Sequence, residues 1–289
     1  MCALLATGCF PRSAPVVKLI QSLARVETGW FAIEPRLTLD AQGAVLLPAA
    51  TSLDDEDDAP YMERLGRAHR RQFQAVQLDG ACPALPGPGT VFVLVHGIGG
   101  EGSEWVGVIP TLALSQPATM YMYRWFAYAE RGAIVKGLVE GVQQLASCNP
   151  ESPIIVIGHS AGGVITAFAA SRFQLAARAA PVTLITVASP LAGIGVRPEI
   201  EDADDRMHFF NDLGTTHRSY PAASPGVSVL HLRTKYPGDV IMKPSRAGYA
   251  PNALSAVVKG ARVLDLPATL GHDDSLLYVA RELQVGRLP

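Results

Sequence analysis

One serine in this chain stands where a nucleophile could be made. In Ile154-Ile155-Val156-Ile157-Gly158-His159-Ser160-Ala161-Gly162-Gly163 a β-branched apolar run ends at glycine, and Val164-Ile165-Thr166-Ala167-Phe168-Ala169-Ala170 follows. The run reads as a buried strand and its sequel as a helix, so Ser160 falls at the apex of a sharp strand-to-helix turn. So tight a turn needs small residues two positions either side of the serine, and Gly158 and Gly162 supply them. The N-terminus of the following helix favours negative charge developing beside the hydroxyl. A serine hydroxyl is a poor nucleophile at neutral pH. It needs an adjacent base, which imidazole can be, and a carboxylate to hold that imidazole in one tautomer. The chemistry on offer is acyl transfer through a covalent serine intermediate.

Acyl transfer also needs donors for the oxyanion of the tetrahedral intermediate. A second apolar run, Val91-Phe92-Val93-Leu94-Val95, ends in His96-Gly97-Ile98-Gly99-Gly100, whose glycines let the backbone approach a substrate. The Gly-His-Ser-Ala-Gly-Gly turn, with its strand and helix, resembles the nucleophile elbow of the α/β-hydrolase fold, and is similar to that of its lipase and esterase branch. The resemblance spans roughly residues 90–286, and the first 89 residues carry no such motif. It implies two backbone donors for the oxyanion, the N–H groups of Ile98 and Ala161. It also implies the chain order serine, acid, histidine, each group at the carboxyl end of a strand.

Seven histidines are candidates for the base. His96 and His159 belong to the two turns, where their backbones are expected to matter more than their rings. His231 lies inside an expected strand and reads as a satisfied core or interface residue. His69 precedes the catalytic region, and His208 and His217 fall in an irregular segment. His272 follows the last expected strand and precedes the final helix, where the implied order puts the base. For the acid, Asp239 comes shortly after the penultimate strand, behind a Pro237-Gly238 turn that can aim it inward. Asp265 lies within the last strand, and Asp273 and Asp274 suit the cap of the final helix better. The expected triad is Ser160, Asp239 and His272.

The elements that must position this set follow from periodicity. Strands are expected at Thr119–Tyr123, Val182–Val187, Val227–Arg233 and Ala261–Leu266. Helices are expected over 131–147, from Ser160 to about Arg178, and after His272. Such alternation predicts the α/β class, a mainly parallel sheet covered by helices on both faces, as in an α/β hydrolase. The catalytic domain is expected over 90–289. Residues 1–89 read as an N-terminal segment with a helix at 15–28, a hairpin, and a helix near 60–76. The hairpin pairs Trp30–Leu39 with Ala44–Leu47 around a turn at Asp40–Gly43, and could be an antiparallel start to the sheet. Between Gly193 and Gly226 the periodicity lapses, and Met207, Phe209 and Phe210 lie among acids. A lid over an acyl pocket and a plain surface excursion both remain open.

Composition excludes several classes. The 289 residues are 48% hydrophobic and 17% charged, which suits a globular chain with a sizeable core. A net charge of −2 argues against a general nucleic-acid binder. Cys2, Cys9, Cys82 and Cys148 show no metal-ligand spacing, so neither a zinc site nor a disulfide framework is expected. The apolar start has no basic residue before Arg12, which makes a weak export signal and predicts a cytoplasmic protein. The expected activity is hydrolysis of small-molecule or lipid carboxylic esters without metal or organic cofactor, with transient contact at a lipid surface if the lid reading holds. The same triad would also serve an acyltransferase or thioesterase, and a non-catalytic lipid- or protein-binding scaffold is a further alternative.

Overall fold

The computed structural model describes residues 29–33, 73–76, 78, 82, 89–97, 103–105, 108–113, 118–125, 129–193, 220–234, 257–272 and 274–289. Among them eight strands form one sheet: β1 (Gly29–Ile33), β2 (Phe73–Val76), β3 (Thr90–Val95), β4 (Ala118–Arg124), β5 (Ile154–His159), β6 (Val182–Val187), β7 (Val227–Arg233) and β8 (Arg262–Asp265). Their order across the sheet is β2-β1-β4-β3-β5-β6-β7-β8. Among them β1 runs antiparallel to both its neighbours, and from β4 to β8 every pairing is parallel. Among the described residues four α-helices accompany the sheet: α1 (Val108–Ala113), α2 (Arg131–Cys148), α3 (Ala161–Ala169) and α4 (Asp274–Gln284).

The central strands are unbroken apolar runs because both of their faces are covered. Every residue of β3 and of β5 is buried. Val91, Val93 and Val95 pack with Ile154 and Val156 against α2 and α3. Their alternates, Phe92, Leu94, Ile155 and Ile157, pack on the opposite face with residues of α1 and α4. In α2 the buried positions Ile134, Leu138, Val142 and Leu145 make the expected helical stripe. Two helix-bearing layers thus hold β3 and β5 side by side, with the two glycine-rich turns at their carboxyl ends.

The N-terminal portion departs from the sequence expectation. Residues 73–76, expected at the end of a helix over 60–76, form β2 and pair with β1 in the register Trp30↔Val76 to Ile33↔Phe73. The hydrogen-bonding edge of β1 decides this, since an unpaired edge leaves its N–H and C=O groups unsatisfied. Residues 36–47, the remainder of the expected hairpin with its return at 44–47, lie outside the described residues, as does the helix expected at 15–28. Trp30 anchors β1 to the domain. Its Nε1–H donates to the Gly137 carbonyl at 3.3 Å, and its ring packs on Tyr123 at 5.2 Å. A side chain at Gly141 of α2 would occupy the space of that indole.

Two further expectations are corrected. The helix after Ser160 ends at Ala169 rather than near Arg178. The chain turns there because Phe173 goes into the core, 4% exposed, with the Arg172 N–H donating to Ala169 O at 2.9 Å. The cysteine spacing predicts no disulfide, yet Cys82 and Cys148 form one across 66 residues. Spacing is silent about partners so far apart, which meet only because α2 carries Cys148 back toward the start of β3. Among the described residues no helix is long and apolar enough to cross a membrane.

Candidate active site

The serine turn forms as its glycine spacing requires. β5 ends at His159, α3 begins at Ala161, and Ser160 between them has φ 52° and ψ −122°. A positive φ at a residue with a Cβ costs on the order of 1–3 kcal/mol and persists only where the surroundings hold it. Here the Ser160 N–H donates to Val187 O at the tip of β6 (2.9 Å), while its own carbonyl accepts from Gly163 N–H (3.1 Å). A Cβ at Gly158 would strike Gly163 and Thr166 of α3, and one at Gly162 would strike the carbonyls of Val95 and His96. The two glycines therefore let the elbow close against its helix and against the end of β3. Ser160 is 9% exposed.

The turn after β3 lies directly beside it. A Cβ at Gly97 would stand 3.1 Å from Ser160 Cβ. Glu104, in a 3-10 turn at Ser103–Trp105, accepts the Gly97 N–H through Oε1 at 2.5 Å. That amide is consequently occupied, and a donor to substrate from this loop must come from a later residue. The His96 ring, expected to matter less than its backbone, is a structural pin. Its Nδ1–H donates to Gly97 O at 2.7 Å and its Nε2 accepts from Trp125 N–H at 3.1 Å.

The His159 ring corrects the same expectation. It is buried, with Nδ1 facing Glu104 Oε1 at 3.6 Å and Nε2–H donating to the His272 carbonyl at 3.2 Å. Trp105, fully buried, meets it edge-on at 6.5 Å. The rings of His159 and His272 lie 4.8 Å apart between centroids. Burial alone would raise the Glu104 pKa. The hydrogen bond and charge of His159 and the Gly97 N–H outweigh it and hold the carboxyl down at about 2. Glu104 is thus a carboxylate at any working pH. Sequence reasoning missed it, because a single acid in a short glycine-rich loop carries no periodic signal.

His272 sits between β8 and α4, where its carbonyl also accepts from Ser275 Oγ–H at 2.6 Å. The structure therefore places the His272 loop against His159, the residue before Ser160. Asp239 and Ile98 lie outside the described residues, as do His69, His208, His217, Asp273 and the lid candidates Met207, Phe209 and Phe210. Of the competing acids, Asp265 is taken up by Arg233, whose Nε and Nη2 approach Oδ1 at 2.8 and 2.7 Å. Asp274 opens α4, where its charge suits the helix N-terminus. His231 is a satisfied core histidine, as expected. Nδ1 meets Thr186 Oγ1 at 2.7 Å and Nε2 accepts from Val258 N–H at 3.1 Å.

A mainly parallel sheet with helices on both faces, and a strained serine where a central strand turns into a helix, define an α/β hydrolase. The chain belongs to the alpha/beta hydrolase family, whose model matches residues 92–283. No curated protein sequence matches it significantly. Solved structures similar to it include Est1E from Butyrivibrio proteoclasticus, at 17% identity and TM-score 0.45, covering 70% of this chain and 88% of that one. A putative thioesterase from Silicibacter sp. is similar at 15% identity and TM-score 0.47, covering 82% and 95%. An α/β serine hydrolase from Xanthomonas campestris, described as without lid, is similar at 15% identity and TM-score 0.43, covering 71% and 83%.

Proposed function

We propose that this α/β hydrolase cleaves carboxylic esters by a serine mechanism, with Ser160 as nucleophile, His272 as base and Asp239 as the acid behind it. The observation that carries the reading is the backbone of Ser160, held at φ 52° between β5 and α3 with the His272 loop against the preceding residue. Ser160 Oγ attacks the ester carbonyl while His272 takes the hydroxyl proton. The oxyanion is held by the N–H groups of Ala161 and Ile98, and occupation of the Gly97 amide by Glu104 supports Ile98 as the donor from that loop. The C–O bond then breaks, His272 protonates the departing alcohol, and the acyl-enzyme is hydrolysed by a water that His272 deprotonates. The reaction as written uses no metal or organic cofactor. The substrate is a small-molecule or lipid ester. The segment 193–226 serves as a lid only if rates on long-chain esters rise where the substrate aggregates.

The Cys82–Cys148 disulfide supports folding in an oxidising compartment over the cytoplasmic expectation. A panel of p-nitrophenyl esters of increasing chain length, with fluorophosphonate labelling, tests the activity. Turnover with label on Ser160 is the expected result. A wild-type protein that neither turns over an ester nor takes label would exclude the reading.

A further inference from the structure

The oxyanion loop and the base loop come from opposite ends of the catalytic domain. One follows β3 and the other follows β8, and His159 and His272 are 113 residues apart. Both loops must nevertheless be placed to fractions of an ångström about Ser160, because misplacement of a donor or a base by about 1 Å can cost on the order of a hundredfold in rate. Among the described residues the polar contacts between these loops involve groups beyond the nucleophile and the base ring. Those contacts run through Glu104 and His159. Glu104 Oε1 holds the Gly97 N–H at 2.5 Å and faces His159 Nδ1 at 3.6 Å. On its other side the same ring gives Nε2–H to the His272 carbonyl at 3.2 Å. Trp105 closes the third side of the ring edge-on, and Glu104 itself is only 11% exposed.

We propose that Glu104 and His159 form a clasp of positioning residues that sets the oxyanion loop, through Gly97, and the base loop, through the His272 carbonyl, in register with the nucleophile between them. The proposal rests on the serine-hydrolase reading and adds two residues to it. Neither touches the reacting atoms. Several features separate the clasp from a buried polar pair that only stabilises the core. It is attached to backbone on two loops rather than to regular structure. It adjoins the nucleophile in sequence. Its carboxylate engages the amide next to the implied oxyanion donor, and that carboxylate stays ionised against its own burial.

The test uses the full chain and counts competent sites by stoichiometric fluorophosphonate labelling, so that kcat is expressed per labelled Ser160. Glu104→Ala and His159→Ala are each expected to lower kcat per labelled site by about 30-fold or more, with KM changed by less than about threefold. Glu104→Gln, whose amide oxygen can still accept the Gly97 N–H, is expected to recover a substantial part of the loss. The double alanine variant is expected to be no slower than the slower single one, since both remove the same tie. A kcat per labelled site within about twofold of wild type in both alanine variants overturns the clasp, as do fully additive losses. If all the variants fail to fold and label, the pair is a core element only and the clasp is again overturned. Absence of label on the wild-type Ser160 overturns the hydrolase reading first, and the clasp with it.

Discussion

His96 and Trp125 lie with rings stacked, centroids 5.2 Å apart and planes 8° from parallel, each on the residue just past its strand. Two hydrogen bonds reinforce the stack: the backbone N–H of Trp125 donates to His96 Nε2 at 3.1 Å, and its indole N–H donates to His96 O at 2.8 Å. The pair locks the exit of β3 to the exit of β4. Replacing His96 by alanine strands a buried amide, which costs about 1–3 kcal/mol. The expected outcome is that loss in denaturant unfolding together with a lower kcat, because the loop carrying Gly97 loosens. Trp125→Phe keeps the stack, loses one hydrogen bond, and should cost about half as much.

Ser160→Ala should abolish ester turnover and fluorophosphonate labelling while leaving the unfolding transition nearly unchanged. Ser160→Gly should be equally inactive but more stable than the alanine variant by about 1 kcal/mol, because glycine adopts φ 52° without a Cβ penalty. Calorimetry of the two inactive variants checks this. A glycine variant less stable than the alanine one would mean that the turn is not strained.

The acid can be located by comparing two asparagine variants. Asp239→Asn should lower kcat by about four orders of magnitude through loss of tautomer control. Asp265 is instead paired with Arg233, and both side chains are about a third exposed. Its replacement by asparagine should cost no more than about 1 kcal/mol and leave kcat within about twofold. Steady-state kinetics on one soluble ester decides. Reversal of the two effects would move the acid to β8.

Burial lowers the pKa of His231 to about 4. Between its unfolded value near 6.5 and about 4, the unfolded chain binds a proton that the folded chain does not. Stability therefore falls as pH drops through that window, by up to about 3 kcal/mol, and this contribution levels off below it. Glu104 acts in a lower window: its stabilisation is complete above its unfolded value and disappears as pH falls toward about 2. Unfolding free energies at several pH values between 7 and 3.5 should show the His231 loss in wild type. His231→Gln, which cannot titrate there, should show a flatter profile.

The Cys82–Cys148 bridge closes a loop of 66 residues' separation at the end of α2, on the chain leading into β3. In the chain-entropy description such a loop stabilises the fold by about 4 kcal/mol, an amount that native-state strain and residual unfolded structure reduce. A Cys82→Ala/Cys148→Ala variant should unfold at a clearly lower denaturant concentration and keep its kcat in dilute buffer. Thiol titration of the unreduced protein should find at least two fewer free cysteines than the four in the sequence.

Much of the catalytic half was legible because its signals are local. The turn at Ser160 needs Gly158 and Gly162 for steric reasons confined to a few residues, and the doubly buried strands β3 and β5 announce themselves as unbroken apolar runs. The reading of His231 as a satisfied core or interface residue followed from its place inside an expected strand. Contacts between distant segments were not legible. Phe73–Val76 became a strand because β1 offered it an edge, and α3 stopped at Ala169 because the core had a place for Phe173. Cys82 met Cys148, and Glu104 met both Gly97 and His159, for the same reason. Backbone sterics and hydrophobic periodicity act over a few residues and are written in the sequence directly. A carboxylate, a ring nitrogen or a thiol acquires its role from whichever group the fold brings within a few ångströms, and that proximity exists only once the sheet has assembled.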